Sequence, residues 1–308
     1  MTKTAFLFSG QGAQKLGMAR DLVDKYEIVA STFDKASKLL GYDLRSLIDS
    51  DEEKLNLTEY TQPAILTTSV AILRLLAMND IKADVVAGLS LGEYSALVAS
   101  GALDFETAVQ LVAKRGKYMS EAAPNGVGKM VAVMKTDASL IEKICAKVAA
   151  EMKMVVSVAN YNTPSQIVIG GEVAAVDQAC VELKEAGSKR LIELNVSGPF
   201  HTALLKPASV LLASELEKIN FSNFSLPLIS NTTAKIMVQD EIKSLLTRQV
   251  MEPVRFYESI STMQELGVTQ FIEVGPGKTL SSFVKKIVDE AKIANVEDLE
   301  SFNKLIQA

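Results

Sequence analysis

The chain has 308 residues, 48% hydrophobic and 22% charged, enough to bury the core of one large domain or of a main domain with a smaller companion. A formal net charge of -5 argues against nucleic acid as a partner, and a single histidine, His201, excludes a multi-histidine metal site. The two cysteines, Cys145 and Cys180, fall in helix-like patterns, so neither a disulfide framework nor a thiolate metal site is expected, and a reducing compartment, the cytoplasm, is.

Residues 4–8 read as a buried strand running into the loop Ser9-Gly10-Gln11-Gly12. The apolar part of that strand is too short for a signal peptide or anchor. No apolar run is expected to approach the roughly 20 residues that span a bilayer. An amphipathic segment over 18–40 follows, and Gln62-Pro63 opens a helical stretch to 79 that is apolar nearly all round and therefore buried. Residues 83–87 form the next strand, and a helix pair covers 91–121. Apolar strands alternating with helices predict a parallel sheet covered on both faces.

The pattern changes at Pro124-Asn125-Gly126-Val127-Gly128, a hinge signal. Beyond it the order is strand 130–134, helix 138–150, strands 155–159 and 166–170, helix 173–186 and strand 190–196. This β-α-β-β-α-β order predicts a ferredoxin-like unit inserted into the larger domain. Ser197-Gly198-Pro199 returns the chain to the main body, which adds a helix at 207–219, strands at 226–230 and 270–274, and helical ends. The expected division is therefore 1–125 with 197–308 as one α/β domain and 126–196 as the insert.

Gly88-Leu89-Ser90-Leu91-Gly92 sits between a strand and a helix, the context of a nucleophile elbow. Flanking glycines suit a serine held in a strained turn, and the following helix start favours a developing anion. The competing reading is a serine that merely caps the helix. A serine hydroxyl needs a base, and His201 is the only imidazole; its position ahead of a helix is expected to keep it neutral. Arg115 shares one face of its helix with Ala108, Leu111, Val112 and Met119, so a guanidinium lies in an apolar stripe and requires an anion, either a structural acid or an acidic substrate. Two glycine loops test poorly as nucleotide sites. Gly10-Gln11-Gly12 lacks the third glycine of a dinucleotide fingerprint, where Lys15 stands, and Gly275-Pro276-Gly277-Lys278-Thr279 has Ile272 where a phosphate loop needs glycine. The first loop is better suited to donating a backbone N–H to an oxyanion.

FSGQGAQ, QPA at 62–64, GLSLGEYSAL, AKRGKYM, NYNTPSQIVIGG, GPFH and EVGPGK, in this order over nearly the whole chain, resemble the malonyl-CoA:acyl carrier protein transacylases. The resemblance implies an α/β-hydrolase-like parallel-sheet core with an inserted ferredoxin-like subdomain. It implies malonyl transfer from malonyl-CoA to the phosphopantetheine thiol of acyl carrier protein in fatty acid biosynthesis, with a polyketide pathway as the alternative, and with no cofactor and no membrane partner. Ser90 resembles the acylated nucleophile and His201 its base, and the N–H groups of Gln11 and Leu91 resemble the oxyanion hole. Arg115 resembles the partner of the malonyl carboxylate. Gln249 resembles the source of the backbone carbonyl that orients the histidine, and Asn162 a position near the thioester or pantetheine. Phe200, beside the base, is expected to narrow the room for an α-methyl group. Leu89 stands where many relatives have histidine, leaving His201 as the one imidazole. A serine hydrolase on the same core and a non-catalytic carrier-protein scaffold are the alternatives.

Overall fold

Strand pairing divides the chain between one parallel and one antiparallel sheet. The structure, a computed structural model, describes residues 2–124, 126–196 and 198–307. In chain order, β1 (Lys3–Phe8) leads through α1 (Arg20–Lys25), α2 (Glu27–Leu40), α3 (Leu44–Ser50), α4 (Glu52–Leu55) and α5 (Thr58–Met78) to β2 (Val85–Gly88), α6 (Gly92–Ala99) and α7 (Phe105–Ala122). Next come β3 (Gly128–Met134), α8 (Ala138–Met152), β4 (Val156–Thr163), β5 (Gln166–Glu172), α9 (Val173–Glu185) and β6 (Arg190–Glu193). The remainder holds α10 (Lys206–Leu216), α11 (Ile242–Gln249), α12 (Phe256–Glu265), β7 (Val268–Val274), α13 (Thr279–Ile287), β8 (Lys292–Val296) and α14 (Leu299–Ile306).

The first sheet runs β2-β1-β7-β8, all parallel. Its central strand alternates between two cores: Phe6 and Phe8 join the cluster of α2, α5 and α7, whereas Ala5 and Leu7 join that of α12 and α13. Both faces are therefore covered, as near-continuous apolar strands require. The second sheet is antiparallel in order β4-β5-β3-β6, the strand order of a ferredoxin-like unit. Val131 and Val133 of β3 face α8 and α9, while Met130 and Ala132 face the main core, so this sheet packs its second face on the larger body. The α/β class expected from sequence is realised. Asn125 and Ser197, at the two expected junctions, lie outside the described residues.

Several local expectations need correction. The segment 18–40 is two helices broken at an extended Tyr26, whose ring packs edge-on against Phe302 at 5.6 Å; this tertiary contact overrides the helical periodicity. The apolar helix begins at Thr58, before Pro63, which sits inside it and costs one backbone hydrogen bond. At 21 residues α5 is also long and apolar enough to cross a bilayer, contrary to the sequence expectation, but it is largely buried inside the protein. Residues 226–230 do not form a strand: Leu228 makes one parallel bridge to Val86, and Pro227, which has no N–H, interrupts the ladder. The C-terminal end is not only helical, since β8 extends the sheet beside β7.

Candidate active site

Phe8 pairs with Gly88 on one side and Val274 on the other, so three strands end in line. The loops that leave them, 9–12, 89–91 and 275–278, emerge together at the carboxyl edge of the parallel sheet, where such sheets gather ligands. There the first two loops, with Thr279, Leu280 and Phe283 of α13, line a cavity of about 320 Å³. Its opposite wall comes from the second sheet, including Met130, Asn162 and Val168, and His201 and Phe200 close one side.

Ser90 has φ 52, a left-handed conformation uncommon for a residue with a side chain. Close backbone contacts enforce it. A Cβ on Gly88 would lie 1.9 Å from the Gly92 carbonyl carbon, and one on Gly92 would lie 2.0 Å from the Phe8 carbonyl oxygen. The turn is also braced from below. Asn231 Oδ1 accepts the Ser90 N–H at 2.6 Å, and Asn231 Nδ2 donates to the Gly88 carbonyl at 2.6 Å.

His201, with φ 61, meets the serine: its Nε2 is 2.8 Å from Ser90 Oγ, and its Nδ1 is 2.7 Å from the Gln249 carbonyl oxygen. A carbonyl only accepts, so the proton sits on Nδ1 and the Nε2 lone pair faces the hydroxyl. Burial, reinforced by the Arg115 charge, lowers this imidazole to about 4, so it is neutral at pH 7. The sequence expectation credited a helix start; burial is the larger cause, and a 3-10 turn, Ala203–Leu205, separates His201 from α10.

Arg115 is 1% exposed and makes no ion pair among the described residues. Asp104 caps its helix, and the apolar stripe turns the guanidinium inward. It donates to Gln62 Oε1 at 2.8 Å, Gln249 Oε1 at 3.0 Å and Ser90 Oγ at 3.2 Å, and lies 5.2 Å from the centre of the Tyr94 ring. Its Nε has no hydrogen-bond partner among the described residues. A cation so placed, with only neutral groups in contact, is set to receive an anion beside the serine.

Gln11 and Asn162 also line the cavity, and Asn162 Oδ1 is buried without a partner among the described residues. Leu91 stands at the start of α6. Neither the Gln11 nor the Leu91 backbone N–H makes a hydrogen bond among the described residues, leaving both free for an oxyanion. Phe200 is 8% exposed and borders the cavity beside His201. The loop 275–278 does not offer a phosphate site: the buried Glu273 carboxylate already accepts the N–H groups of Leu280 and Ser281 at the start of α13. Among the described residues no group of His, Cys, Asp or Glu is clustered to hold a metal ion.

Three residues of the site carried no role in the sequence reading: Gln62, Glu93 and Asn231. Gln62 fixes the guanidinium from α5. Glu93, fully buried in the first turn of α6, accepts the Asn231 N–H and a Gln249 Nε2–H. The available signal was a lone charge between Asp84 and Asp104, immediately after the elbow, an expensive residue to bury.

An elbow serine bonded to a neutral imidazole, beside free backbone donors, is the equipment of a serine-dependent acyl-transfer enzyme. The chain belongs to the acyl transferase domain family, which matches residues 5–307. It is 46% identical over 309 residues to the malonyl CoA-acyl carrier protein transacylase of Bacillus subtilis (strain 168), covering 100% of this chain and 97% of that protein. The fold is similar to the crystal structure of MCAT from Streptococcus pneumoniae, with a TM-score of 0.97, 63% identity and 99% of each chain covered. It is equally similar in extent to a malonyl-transacylase in complex with a type II PKS acyl-carrier protein, with a TM-score of 0.96, 42% identity and 99% of each chain covered.

Proposed function

We propose that this chain moves a malonyl group from malonyl-CoA to the phosphopantetheine thiol of acyl carrier protein, through a malonyl ester on Ser90, as a step of fatty acid biosynthesis in the cytoplasm. The observation that carries the reading is Arg115: a buried guanidinium with no ion pair among the described residues, 3.2 Å from the serine hydroxyl. A malonyl thioester supplies the missing carboxylate at that distance from its reacting carbonyl.

In the reaction, His201 Nε2 takes the Ser90 hydroxyl proton as Oγ attacks the thioester carbonyl. The carbonyl oxygen becomes an oxyanion at the N–H groups of Gln11 and Leu91. Its collapse expels the CoA thiolate, which receives the proton from His201. The carrier thiol then repeats the sequence in reverse, giving its proton to His201 and leaving with the malonyl group. The imidazole stays oriented throughout by the Gln249 carbonyl. Asn162 supplies an amide oxygen to the thioester arm, and Phe200 limits bulk next to the base. Every proton and bond in this cycle is handled by the chain and its two substrates, so no cofactor is required. The catalytic body is assigned to 1–125 and 197–308, and the insert to 126–196.

Intact-mass spectrometry tests the reading. Malonyl-CoA should add one malonyl group to the wild-type chain, and carrier protein should remove it. Ser90→Ala should add none while keeping its fold. A Ser90→Ala protein malonylated at the wild-type rate would overturn the assignment. Discharge to water as fast as to the carrier thiol would favour a hydrolase.

A further inference from the structure

We propose that Glu93 is a positioning residue for acyl transfer, one buried carboxylate that braces the nucleophile through Asn231 and the base through Gln249. The proposal rests on the reading of Ser90 and His201 given above. Glu93 Oε1 accepts the Asn231 N–H at 2.7 Å, and the Asn231 side chain in turn holds the Ser90 N–H and the Gly88 carbonyl, each at 2.6 Å. Glu93 Oε2 accepts from Gln249 Nε2, which also donates to the Ser90 carbonyl at 2.9 Å, while the Gln249 backbone carbonyl accepts the His201 Nδ1–H. In a Ser-His-Asp arrangement an acid touches the imidazole directly. Here a backbone carbonyl takes that place, and the acid holds the residue that provides it.

The orientation of the Gln249 amide fixes which form of Glu93 the site uses. Its Oε1 faces the Arg115 guanidinium at 3.0 Å, so its Nε2 must face Glu93. The Asn231 N–H is a donor by nature. Both carboxylate oxygens therefore face donors, and a proton on Glu93 would have no acceptor. The groups around it are Arg115 from α7, Tyr94 from its own helix, and the uncharged Asn231 and Gln249. Burial pushes the carboxyl up to about 7, with those two hydrogen bonds and the Arg115 charge opposing the rise. The ionised form also faces Arg115 across the Gln249 amide, which links the two charges without letting them touch.

The test is made at pH 8, where the carboxylate is ionised. Glu93→Gln is isosteric but turns one acceptor into a donor, so one arm faces a like group. The expected result is a loss of about 10- to 100-fold in kcat for malonyl transfer to carrier protein. KM for malonyl-CoA should stay within about threefold. Labelling of Ser90 by a neutral fluorophosphonate should slow by the same factor as kcat, because that reagent has neither carboxylate nor CoA. Asn231→Ala keeps the backbone N–H that Glu93 accepts but removes the side chain that holds the turn, and should show the same kcat-only loss; if Glu93→Gln does not fold, Glu93→Asp, which keeps the charge but is too short to hold both arms, decides the matter by the same kcat and labelling readouts. Wild-type kcat per labelled serine in the variants, with any loss confined to the number of labelled sites, would show that Glu93 serves folding only. Failure of the wild-type chain to be labelled at Ser90 would instead sink the underlying reading of the nucleophile.

Discussion

At the scale of single residues, the role proposed for Arg115 makes the strongest demand on the substrate. If Arg115 holds the malonyl carboxylate as proposed, Arg115→Ala should cost on the order of 2–5 kcal/mol in malonyl transfer. Acetyl transfer, which has no carboxylate to lose, should be unchanged or faster. Equal loss with both substrates, accompanied by a lower Tm, would make Arg115 a structural cation. The same substitution has a second readout. Because the Arg115 charge is the second cause of the low imidazole value, after burial, its removal should move the acid limb of kcat/KM for acetyl transfer to higher pH. In the wild type that limb should lie near about 4, where His201 takes up a proton and stops acting as a base. A limb that does not move in the variant would show that the guanidinium does not tune the base. The elbow, the lone histidine and the arginine in an apolar stripe were all legible in the sequence, because each is a local pattern or a count. Gln62, Glu93 and Asn231 were not, since their partners lie 53, 138 and 141 positions away and only the folded chain brings them together.

At the scale of elements, the pair α5 and α7 positions the arginine. A Cβ on Gly116 would stand 2.5 Å from the Thr58 carbonyl oxygen, so this glycine lets the two helices touch beside Arg115. Alanine in a helix normally gains up to about 1 kcal/mol over glycine. Here the collision is with backbone, and Gly116→Ala should instead destabilise by about 1–3 kcal/mol. A denaturation midpoint at or above wild type would show that the helices separate without cost. The same displacement carries Gln62 away from the guanidinium, so the malonyl preference should weaken with it. Elements were legible where periodicity was strong and uninterrupted, as in β1, α7 and the inserted unit. They were misread where tertiary contacts decided: Tyr26 leaves its helix for Phe302, Pro63 is absorbed within a buried helix, and β8 is recognisable only as a neighbour of β7.

At the scale of the whole molecule, two buried groups link stability to pH in opposite directions. Unfolded His201 protonates near 6.5 and folded His201 only near about 4, so the unfolded state binds the extra proton between them and stability falls as pH drops through that window. Glu93 has the reverse sign. Its folded value of about 7 exceeds the model-peptide value of 4.5, so its contribution is present below 4.5 and is lost as pH rises towards 7. The Tm difference between wild type and Glu93→Gln should accordingly shift against the wild type from pH 4.5 to pH 7. A difference that is flat across this range would show that Glu93 does not change its proton uptake on folding. The order β2-β1-β7-β8 has a further consequence for how the chain is made. β1 leaves the ribosome long before one of its two neighbours, β7, which is encoded far downstream; Thr4 and Gln270, side by side in the sheet, are 266 positions apart. At roughly 5–20 residues per second, the apolar edge Ala5–Phe8 waits on the order of 10–50 s for that partner. Until then it is a half-paired apolar ribbon, and the helices made between β1 and β2 are the part of the chain at hand to cover that edge before β7 arrives.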